Sequence, residues 1–237
     1  MTENKPQTIA LLGGSFNPVH YGHLRLAVEV YEALTPDRLY FIPSANPPHK
    51  PGLGMLPFEL RVEILHAALQ GYPEFQVDTL EADRPGPSYT SDTLAEYRRR
   101  HPNGDLYFIL GSEDFLGLDS WKNWKHMPDL ANLLVVPRQG TEEAEFEEQA
   151  LRLWPTAEVM PSALKDDKKI NLPAKAKSIY RVSEAGCLLY LPLPRLDINA
   201  SLLRRRWLEG RRIDFWTPPV VVDTLEKHRE LVERHWK

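Results

Sequence analysis

The chain has 237 residues, of which 42% are apolar and 26% charged, the balance of an ordinary globular protein with a sizeable core. Its net charge of −4 argues against a nucleic-acid binder that works through bulk positive charge. The polar residues 1–7 lack the apolar core of a signal peptide, and no apolar run approaches the roughly 20 residues that span a bilayer. We therefore expect a cytoplasmic protein without a membrane partner, in which the single cysteine, Cys187, is buried and unreactive.

Short apolar runs alternate with helical patterns through the first part of the chain. The runs predict strands at Ile9–Leu12, Leu39–Pro43, Phe75–Leu80, Leu106–Leu110 and Leu133–Val136. Helices are predicted between them at Gly22–Leu34, Phe58–Leu69 and Ser91–Arg100. This alternation indicates an α/β fold, with a Rossmann-like, mostly parallel sheet and helices on both faces. In such sheets, ligands bind beyond the carboxyl ends of the strands.

The pattern weakens between Gly140 and Gly186 and becomes regular again near the C-terminus. The weaker region contains an acidic helical pattern at Glu142–Trp154, an irregular lysine-bearing stretch at Ser162–Lys177, and a hairpin formed by Ser178–Val182 and Cys187–Leu191. A C-terminal helical subregion follows, with a helix at Ser201–Glu209 and a last helix capped by Thr217 and Pro218. We expect a single domain in which the 140–186 region is a peripheral insertion.

A glycine-containing turn joins the first predicted strand to the first predicted helix, and it carries two histidines. From Gly13 to Leu24 it reads GGSFNPVHYGHL. Glycines let backbone N–H groups approach a phosphate closely, and a helix N-terminus adds partial positive charge. His20 and His23 can point at one bound group, where an imidazole can donate to a phosphate oxygen and stabilise developing charge. The stretch therefore predicts a phosphate-handling site.

Two other roles for these histidines are weaker. A single histidine is often structural, and His-x-x-His can form half of a metal site. A metal site would need further ligands, and the sequence contains no cysteine cluster and no HExxH motif to supply them. Phosphate chemistry is the interpretation that we adopt, with no protein-bound metal.

The stretch from Gly14 to His23 resembles the signature of the nucleotidyltransferase superfamily whose hallmark is His-x-Gly-His, here His20-Tyr21-Gly22-His23. The resemblance implies that an acceptor phosphate attacks the α-phosphorus of a nucleotide directly, without a covalent enzyme intermediate, and that pyrophosphate leaves. It also implies that the two histidines stabilise the transferring phosphates. Mg²⁺ is then expected as the cofactor, held mainly by the ATP phosphates.

The second motif of that superfamily is Ile-Ser-x-Thr-x-x-Arg near the C-terminus. This sequence has Ile198-Asn199-Ala200-Ser201-Leu202-Leu203-Arg204 at the start of a predicted helix. Ser201 keeps a hydroxyl that can cap the helix and bond a phosphate, and Arg204 keeps a positive fork for the β- and γ-phosphates. Asn199 and Ala200 replace the usual residues at their positions. Arg205 and Arg206 are expected to form a solvated helix face.

Four further segments follow predicted strands and narrow the acceptor. They are Pro43–Lys50, Pro87–Leu94, Gly111–Asp114 with Trp121 shortly after, and Pro137-Arg138. Together they resemble the bacterial nicotinate-nucleotide adenylyltransferases, from about Ile9 to Val136 and again from Leu196 onward. Pantetheine-phosphate adenylyltransferases share both phosphate motifs but are shorter and lack the Asn-Pro-Pro-His-Lys and Ser-Tyr-Thr segments. The resemblance implies adenylyl transfer from ATP to nicotinic acid mononucleotide, giving deamido-NAD and pyrophosphate.

The site residues that this resemblance implies fall into two groups. Trp121 can offer an aromatic face to the pyridine ring of the acceptor. The carboxylate on that ring suits backbone N–H donors, which family members supply near Thr90 and Lys122. The ATP contacts are expected at Gly13, Gly14, Ser15, Phe16, Gly111, Arg138, Ser201 and Arg204. The acceptor contacts are expected at Asn46, His49, Lys50, Tyr89, Thr90, Glu113, Trp121 and Lys122. His20, His23 and Arg204 are expected to be catalytic.

Two alternatives and one departure remain open at this point. The family usually has Asp where Glu113 stands, so this carboxylate lies one methylene further out. A nicotinamide mononucleotide or dual-specificity adenylyltransferase would share nearly every motif. A nucleotide-binding regulatory protein with weak catalysis would fit the changes at Glu113, Asn199 and Ala200. Assembly into a homo-oligomer is left open as well.

Overall fold

A computed structural model describes residues 6–48, 54–137, 142–160, 173, 175–194, 196 and 198–237. Within these residues the strands are β1 (Thr8–Gly14), β2 (Arg38–Pro43), β3 (Phe75–Val77), β4 (Asp105–Gly111), β5 (Asn132–Val136), β6 (Glu158–Val159), β7 (Ser178–Arg181) and β8 (Cys187–Tyr190). The helices are α1 (Tyr21–Leu34), α2 (Phe58–Ala68), α3 (Thr90–Arg100), α4 (Ser112–Leu116), α5 (Met127–Leu130), α6 (Glu143–Leu153), α7 (Ala200–Leu208), α8 (Pro219–Lys227) and α9 (Arg229–Trp236).

The strands form one sheet in the order β3-β2-β1-β4-β5-β8-β7-β6. β4 is parallel to β1 and to β5, and β5 is parallel to β8. β7 runs antiparallel to both β8 and β6, so the predicted hairpin is confirmed. The predicted α/β class is confirmed too, because buried parallel strands alternate with helices along the chain.

The described chain divides into two compact units. Unit 1 comprises residues 6–12, Glu29–Leu39 and Tyr89–Pro194. Its central strands β4 and β5 are buried almost throughout, as their uninterrupted apolar runs require. Helix α6 adds the ring of Phe146, which lies 5.3 Å from that of Phe115 and 5.0 Å from that of Tyr190.

Unit 2 comprises Gly13–Val28, Tyr40–Ser88 and Arg195–Lys237. It contains both of the motifs that the sequence associates with phosphate. Its helical part is the predicted C-terminal subregion, in which α8 packs on α2 and α9 packs on both α7 and α8. Trp207 of α7 and Trp236 of α9 meet edge to face, with ring centroids 6.1 Å apart.

Three predicted elements differ from the structure. β3 ends at Val77 rather than Leu80, because the Asp78 carboxylate accepts the Leu80 N–H at 2.9 Å and turns the chain. Thr217 does not cap α8; its hydroxyl is buried and donates to the carbonyl oxygen of Val19 at 2.8 Å. The last predicted helix is followed by another, α9, which begins after His228.

Cys187 is buried as predicted, and burial raises the pKa of its thiol above the usual value. Part of the 140–186 region, residues 140–141, 161–172 and 174, lies outside the described residues, so its predicted peripheral role stays a prediction. Among the residues that are described, no helix is long and apolar enough to cross a membrane.

Candidate active site

The two histidines of the first motif lie at the start of α1 with their rings stacked. The ring centroids of His20 and His23 are 3.8 Å apart, and the ring planes are inclined by 23°. His20 occupies the N-cap position and is 4% exposed, while its carbonyl oxygen accepts the His23 N–H at 2.9 Å. Nδ1 of His23 accepts the His20 backbone N–H at 3.4 Å, a long bond arranged like one arm of a capping box. In the neutral ring, this arrangement leaves the proton of His23 on Nε2, where it can be donated to a phosphate oxygen.

Gly22 lies between the histidines, where an added side chain would force the His20 ring to move. A Cβ atom on Gly22 would lie 2.9 Å from Nδ1 and 3.0 Å from Cε1 of His20, and 3.2 Å from the carbonyl oxygen of Leu196. Real Cβ atoms essentially never come within 3.0 Å of another heavy atom. The buried imidazole of His20 therefore depends on a residue without a side chain.

We expect Gly22→Ala to lower kcat by about 10-fold, because it displaces the His20 ring from its place against His23. Alanine has a higher helix propensity than glycine by about 1 kcal/mol, so the melting temperature should fall little. Gly117→Ala is the matched control, since its Cβ would only approach the Glu113 carbonyl oxygen at 3.7 Å. Steady-state kinetics and thermal unfolding of both variants test this; full activity of Gly22→Ala would contradict it.

Phe16 supports this turn with a buried side chain. Its ring is 1% exposed and lies edge-on to the His23 ring, with centroids 5.0 Å apart. A Cβ on Gly14 would lie 3.1 Å from Phe16 Cζ, so a side chain there would require the ring to shift by a few tenths of an ångström. Phe16 has a φ of 44°, in the left-handed region that non-glycine residues rarely adopt. Any contact of Phe16 with ATP would therefore come from its backbone.

The arginine of the second motif is tied to the first motif within unit 2. Arg204 donates from Nη1 to the carbonyl oxygen of Asn17 at 2.8 Å and from Nη2 to Ser201 Oγ at 3.0 Å. Partial burial lowers the pKa of its guanidinium, which nevertheless stays protonated at neutral pH. These two bonds leave further N–H donors of the planar fork for a ligand.

Asn199, rather than Ser201, caps α7. Its side-chain oxygen accepts the Leu202 N–H at 2.8 Å, the usual N-cap bond. Ser201 lies inside the first turn, and its hydroxyl accepts from Arg204. The prediction that Ser201 caps this helix is therefore wrong, because Asn199 already occupies the cap.

Asn17 is a buried hub of this site that the sequence reasoning missed. Besides the Arg204 contact, its Oδ1 accepts from the Leu56 N–H at 3.1 Å and from Trp236 Nε1 at 3.3 Å. Its Nδ2 donates to the carbonyl oxygen of Gly54 at 2.5 Å. Trp236 is the penultimate residue of the chain, and no local sequence pattern indicates that it supports the histidine turn.

Three of the predicted acceptor residues lie together in unit 1, at the start of α3. Tyr89 directly precedes this helix, Thr90 begins it, and Lys122 Nζ lies 4.4 Å from the Tyr89 ring centroid. Lys122 also pairs with the Asp92 carboxylate at 3.0 Å, a partner that the sequence reasoning missed. Trp121, the neighbour of Lys122, is half-buried. The backbone N–H groups at the start of α3 suit an anionic group at this place, while the Lys122 ammonium is already paired with Asp92.

The remaining predicted residues are more scattered. Asn46, in unit 2, is held by the 86–88 loop, with its N–H on Ser88 Oγ at 3.0 Å and its Nδ2 on the Gly86 carbonyl oxygen at 3.3 Å. Gly111 ends β4, and Glu113 is exposed in the first turn of α4, both in unit 1. His49, Lys50 and Arg138 lie outside the described residues.

Comparisons with known proteins agree with these motifs. The cytidylyltransferase-like family matches residues 11–206. A probable nicotinate-nucleotide adenylyltransferase of Pelobacter propionicus is 36% identical over 227 residues, covering 93% of this chain and 96% of that protein. A counterpart in Thermus thermophilus is 36% identical over 220 residues, covering 93% of this chain and 97% of that protein.

A solved structure shows the same fold. Plasmodium falciparum nicotinic acid mononucleotide adenylyltransferase complexed with NaAD has a TM-score of 0.68 to this chain, with 95% of this chain and 97% of that one covered. The two are 17% identical, so this likeness concerns the fold. The sequence relatives place the chain in a class of nucleotide-transferring enzymes. The chain thus belongs to the nicotinate-nucleotide adenylyltransferase family, within the cytidylyltransferase-like nucleotidyltransferases.

Proposed function

We propose that this enzyme transfers the adenylyl group of ATP to nicotinic acid mononucleotide, giving deamido-NAD and pyrophosphate. The proposal rests mainly on one observation: the two predicted phosphate-binding motifs are linked by a hydrogen bond within unit 2. The stacked His20 and His23 begin α1, and Arg204 of α7 is tied to the turn before them through the Asn17 carbonyl oxygen. This arrangement brings imidazole and guanidinium donors from two hydrogen-bonded segments of the chain together, which suits the several phosphate groups of ATP.

The reaction needs a positioned acceptor more than it needs a nucleophile from the protein. A phosphate oxygen of the acceptor attacks the α-phosphorus of ATP, and the bond from that phosphorus to the bridging oxygen of the β-phosphate breaks. Negative charge increases on the departing pyrophosphate, where the Arg204 fork stabilises it. His23, with its proton on Nε2, donates to an oxygen of the transferring group, and His20 holds the ring of His23 in place.

We propose Mg²⁺ as the cofactor, which would be held mainly by the ATP phosphates. Neither α1 nor α7 has an acidic residue in its first turn. Among the described residues, no group of three or more His, Cys, Asp or Glu side chains could hold a metal ion. When bound to the ATP phosphates, Mg²⁺ supplies charge neutralisation.

The nicotinate acceptor is supported by the family and by the cluster at the start of α3. A ring carboxylate is an anion, and the start of α3 offers backbone N–H donors beside the Lys122–Asp92 pair. A ring amide carries no charge, and its own N–H groups would face the N–H donors of the protein without an acceptor.

We expect kcat/KM to be about 10-fold or more higher for the nicotinate than for the nicotinamide mononucleotide, because a donor set built for an anion rejects an unmatched amide. The measurement is pyrophosphate release with each mononucleotide in parallel. Lys122→Ala should reduce the preference, whereas Lys125→Ala removes a neighbouring exposed ammonium and should leave it unchanged.

Equal values for the two mononucleotides would identify a dual-specificity enzyme instead. Nucleotide binding without pyrophosphate release from either acceptor would support the regulatory alternative. Family membership favours the enzyme, and the retained His20, His23, Ser201 and Arg204 agree with it.

A further inference from the structure

A buried arginine of unit 2 connects three backbone segments around the candidate active site. Arg61 of α2 is 1% exposed. Its Nη1 donates to the carbonyl oxygen of Ser15 at 2.7 Å, its Nη2 to that of Ser44 at 2.8 Å, and its Nε to that of Leu56 at 3.1 Å. Ser15 belongs to the histidine turn, and Ser44 opens the segment that precedes Asn46. We call residues Gly13–His20 the phosphate loop and residues Ser44–Pro48 the acceptor loop.

Burying a guanidinium is unfavourable unless hydrogen bonds and opposite charge compensate for its lost hydration. Burial lowers the pKa of Arg61 to about 10, while the negative charges of Glu59 and Glu81 raise it in part. The group therefore remains charged at neutral pH. An apolar residue would fill the same position on the buried side of α2 beside Leu60 and Ile64 without this penalty. The arginine must therefore do something that packing alone does not require.

The peptide group between Ser44 and Ala45 is held at both polar ends. Arg61 donates to its carbonyl oxygen at 2.8 Å, and the Glu81 carboxylate accepts its N–H through Oε2 at 3.3 Å. Glu81 is 8% exposed. A peptide group is planar, so these two contacts on opposite ends restrict its rotation. Asn46, the first predicted acceptor contact, is the next residue along the chain.

The peptide group between Ser15 and Phe16 is oriented by the same guanidinium. Its carbonyl oxygen points at Arg61, and in a trans peptide the following N–H points the opposite way. The Phe16 N–H is therefore directed away from Arg61. A backbone hydrogen bond from the Ser44 N–H to the Gly14 carbonyl oxygen, at 2.9 Å, links the acceptor loop to the phosphate loop directly.

We propose that Arg61 is a positioning residue that holds the phosphate loop and the acceptor loop in one fixed relation, so that the α-phosphorus of ATP and the attacking phosphate oxygen meet in line. Arg61 acts through the Ser15 and Ser44 carbonyl groups. The inference rests on the proposed function, because it assigns the two loops to the two substrates.

Arg61→Lys tests this role, since lysine keeps the charge but cannot reach three carbonyl oxygens in three directions. We expect kcat to fall by about 10-fold, because misaligned reactants lose rate even when both bind. Binding of ATP, measured by titration, should change by less than about 3-fold, since Arg61 acts on alignment rather than on binding itself. Ile64→Ala is the matched control, a fully buried residue of the same helix whose apolar side chain makes no hydrogen bond to either loop.

Both variants are assayed well below their melting temperatures. Loss of kcat in Arg61→Lys but not in an equally destabilised Ile64→Ala supports positioning, whereas equal losses, or no loss, overturn it. Glu81→Leu, which releases the Ala45 N–H, provides the same readout if Arg61→Lys does not fold, and Glu81→Gln, which keeps an acceptor oxygen, should restore most of the rate.

The proposed function is tested separately by the wild-type enzyme. An inactive wild type with nicotinic acid mononucleotide overturns the function. The ratio of variant to wild-type kcat, measured with whichever mononucleotide the wild type adenylylates, tests the positioning role independently.

Discussion

Replacing His23 by alanine is expected to lower kcat by about 100- to 1,000-fold, the usual effect of losing one preorganised donor to developing charge. His20→Ala should have a similar effect, because it removes the ring that stacks on His23 at 3.8 Å. Since the two rings act as one unit, the double variant should be little worse than the more damaging single variant. His23→Gln keeps an N–H donor and should lie between wild type and His23→Ala.

The measurement is steady-state turnover with saturating ATP and acceptor, combined with thermal unfolding to confirm that each variant is folded. His66→Ala, which removes an exposed histidine of α2, is the control and should have wild-type activity. A double variant that turns over at nearly the wild-type rate would remove the central assignment of the site.

Replacing Arg204 by alanine is expected to lower kcat by about 100-fold, because negative charge gathers on the leaving pyrophosphate as the bond to the α-phosphorus breaks. The guanidinium is held in advance by Asn17 and Ser201, so little ordering remains to be done during the reaction. Arg204→Lys keeps the charge but loses the planar fork and both tethers, so its effect should be intermediate.

The other residues of this motif should follow in a definite order. Ser201→Ala removes one tether of Arg204 and should reduce kcat less than Arg204→Lys does. Asn199→Ser should be near wild type, because serine is an N-cap residue as good as asparagine. Arg205→Ala is the matched control, since this neighbour on α7 is exposed. Full kcat and unchanged ATP affinity in Arg204→Ala would show that the second motif has been misassigned.

The fold class was open to prediction because its signals are local. Apolar runs at β1, β4 and β5 alternate with helical periodicity, and this pattern requires only neighbouring residues. The predicted element ends were wrong where a side chain forms a hydrogen bond with a backbone group. Asp78 ends β3 early by accepting the Leu80 N–H, and Thr217 contacts Val19 instead of capping α8. Such choices depend on what lies nearby in space.

The sequence itself predicted a phosphate-handling site, because that chemistry needs particular residue types at short, fixed spacing. The reaction class was then implied by the resemblance of both motifs to the nucleotidyltransferase superfamily. His20 and His23 are three residues apart at the start of one helix, so their rings stack. The absence of a side chain at Gly22 leaves room for the His20 ring. The family comparisons confirm this part of the interpretation.

Only the tertiary structure decided how these motifs are held. Arg204 meets Asn17 across 187 residues, Trp236 meets it across 219, and Arg61 meets Ser15 across 46. Each contact joins a side chain to a group that no periodic pattern places beside it. The sequence does contain one sign of Arg61, because it is a single charged residue among the apolar positions on the buried side of α2, such as Ile64 and Leu65. Its role still depended on which carbonyl oxygens fold around it, since a buried cation is stable only where acceptors converge.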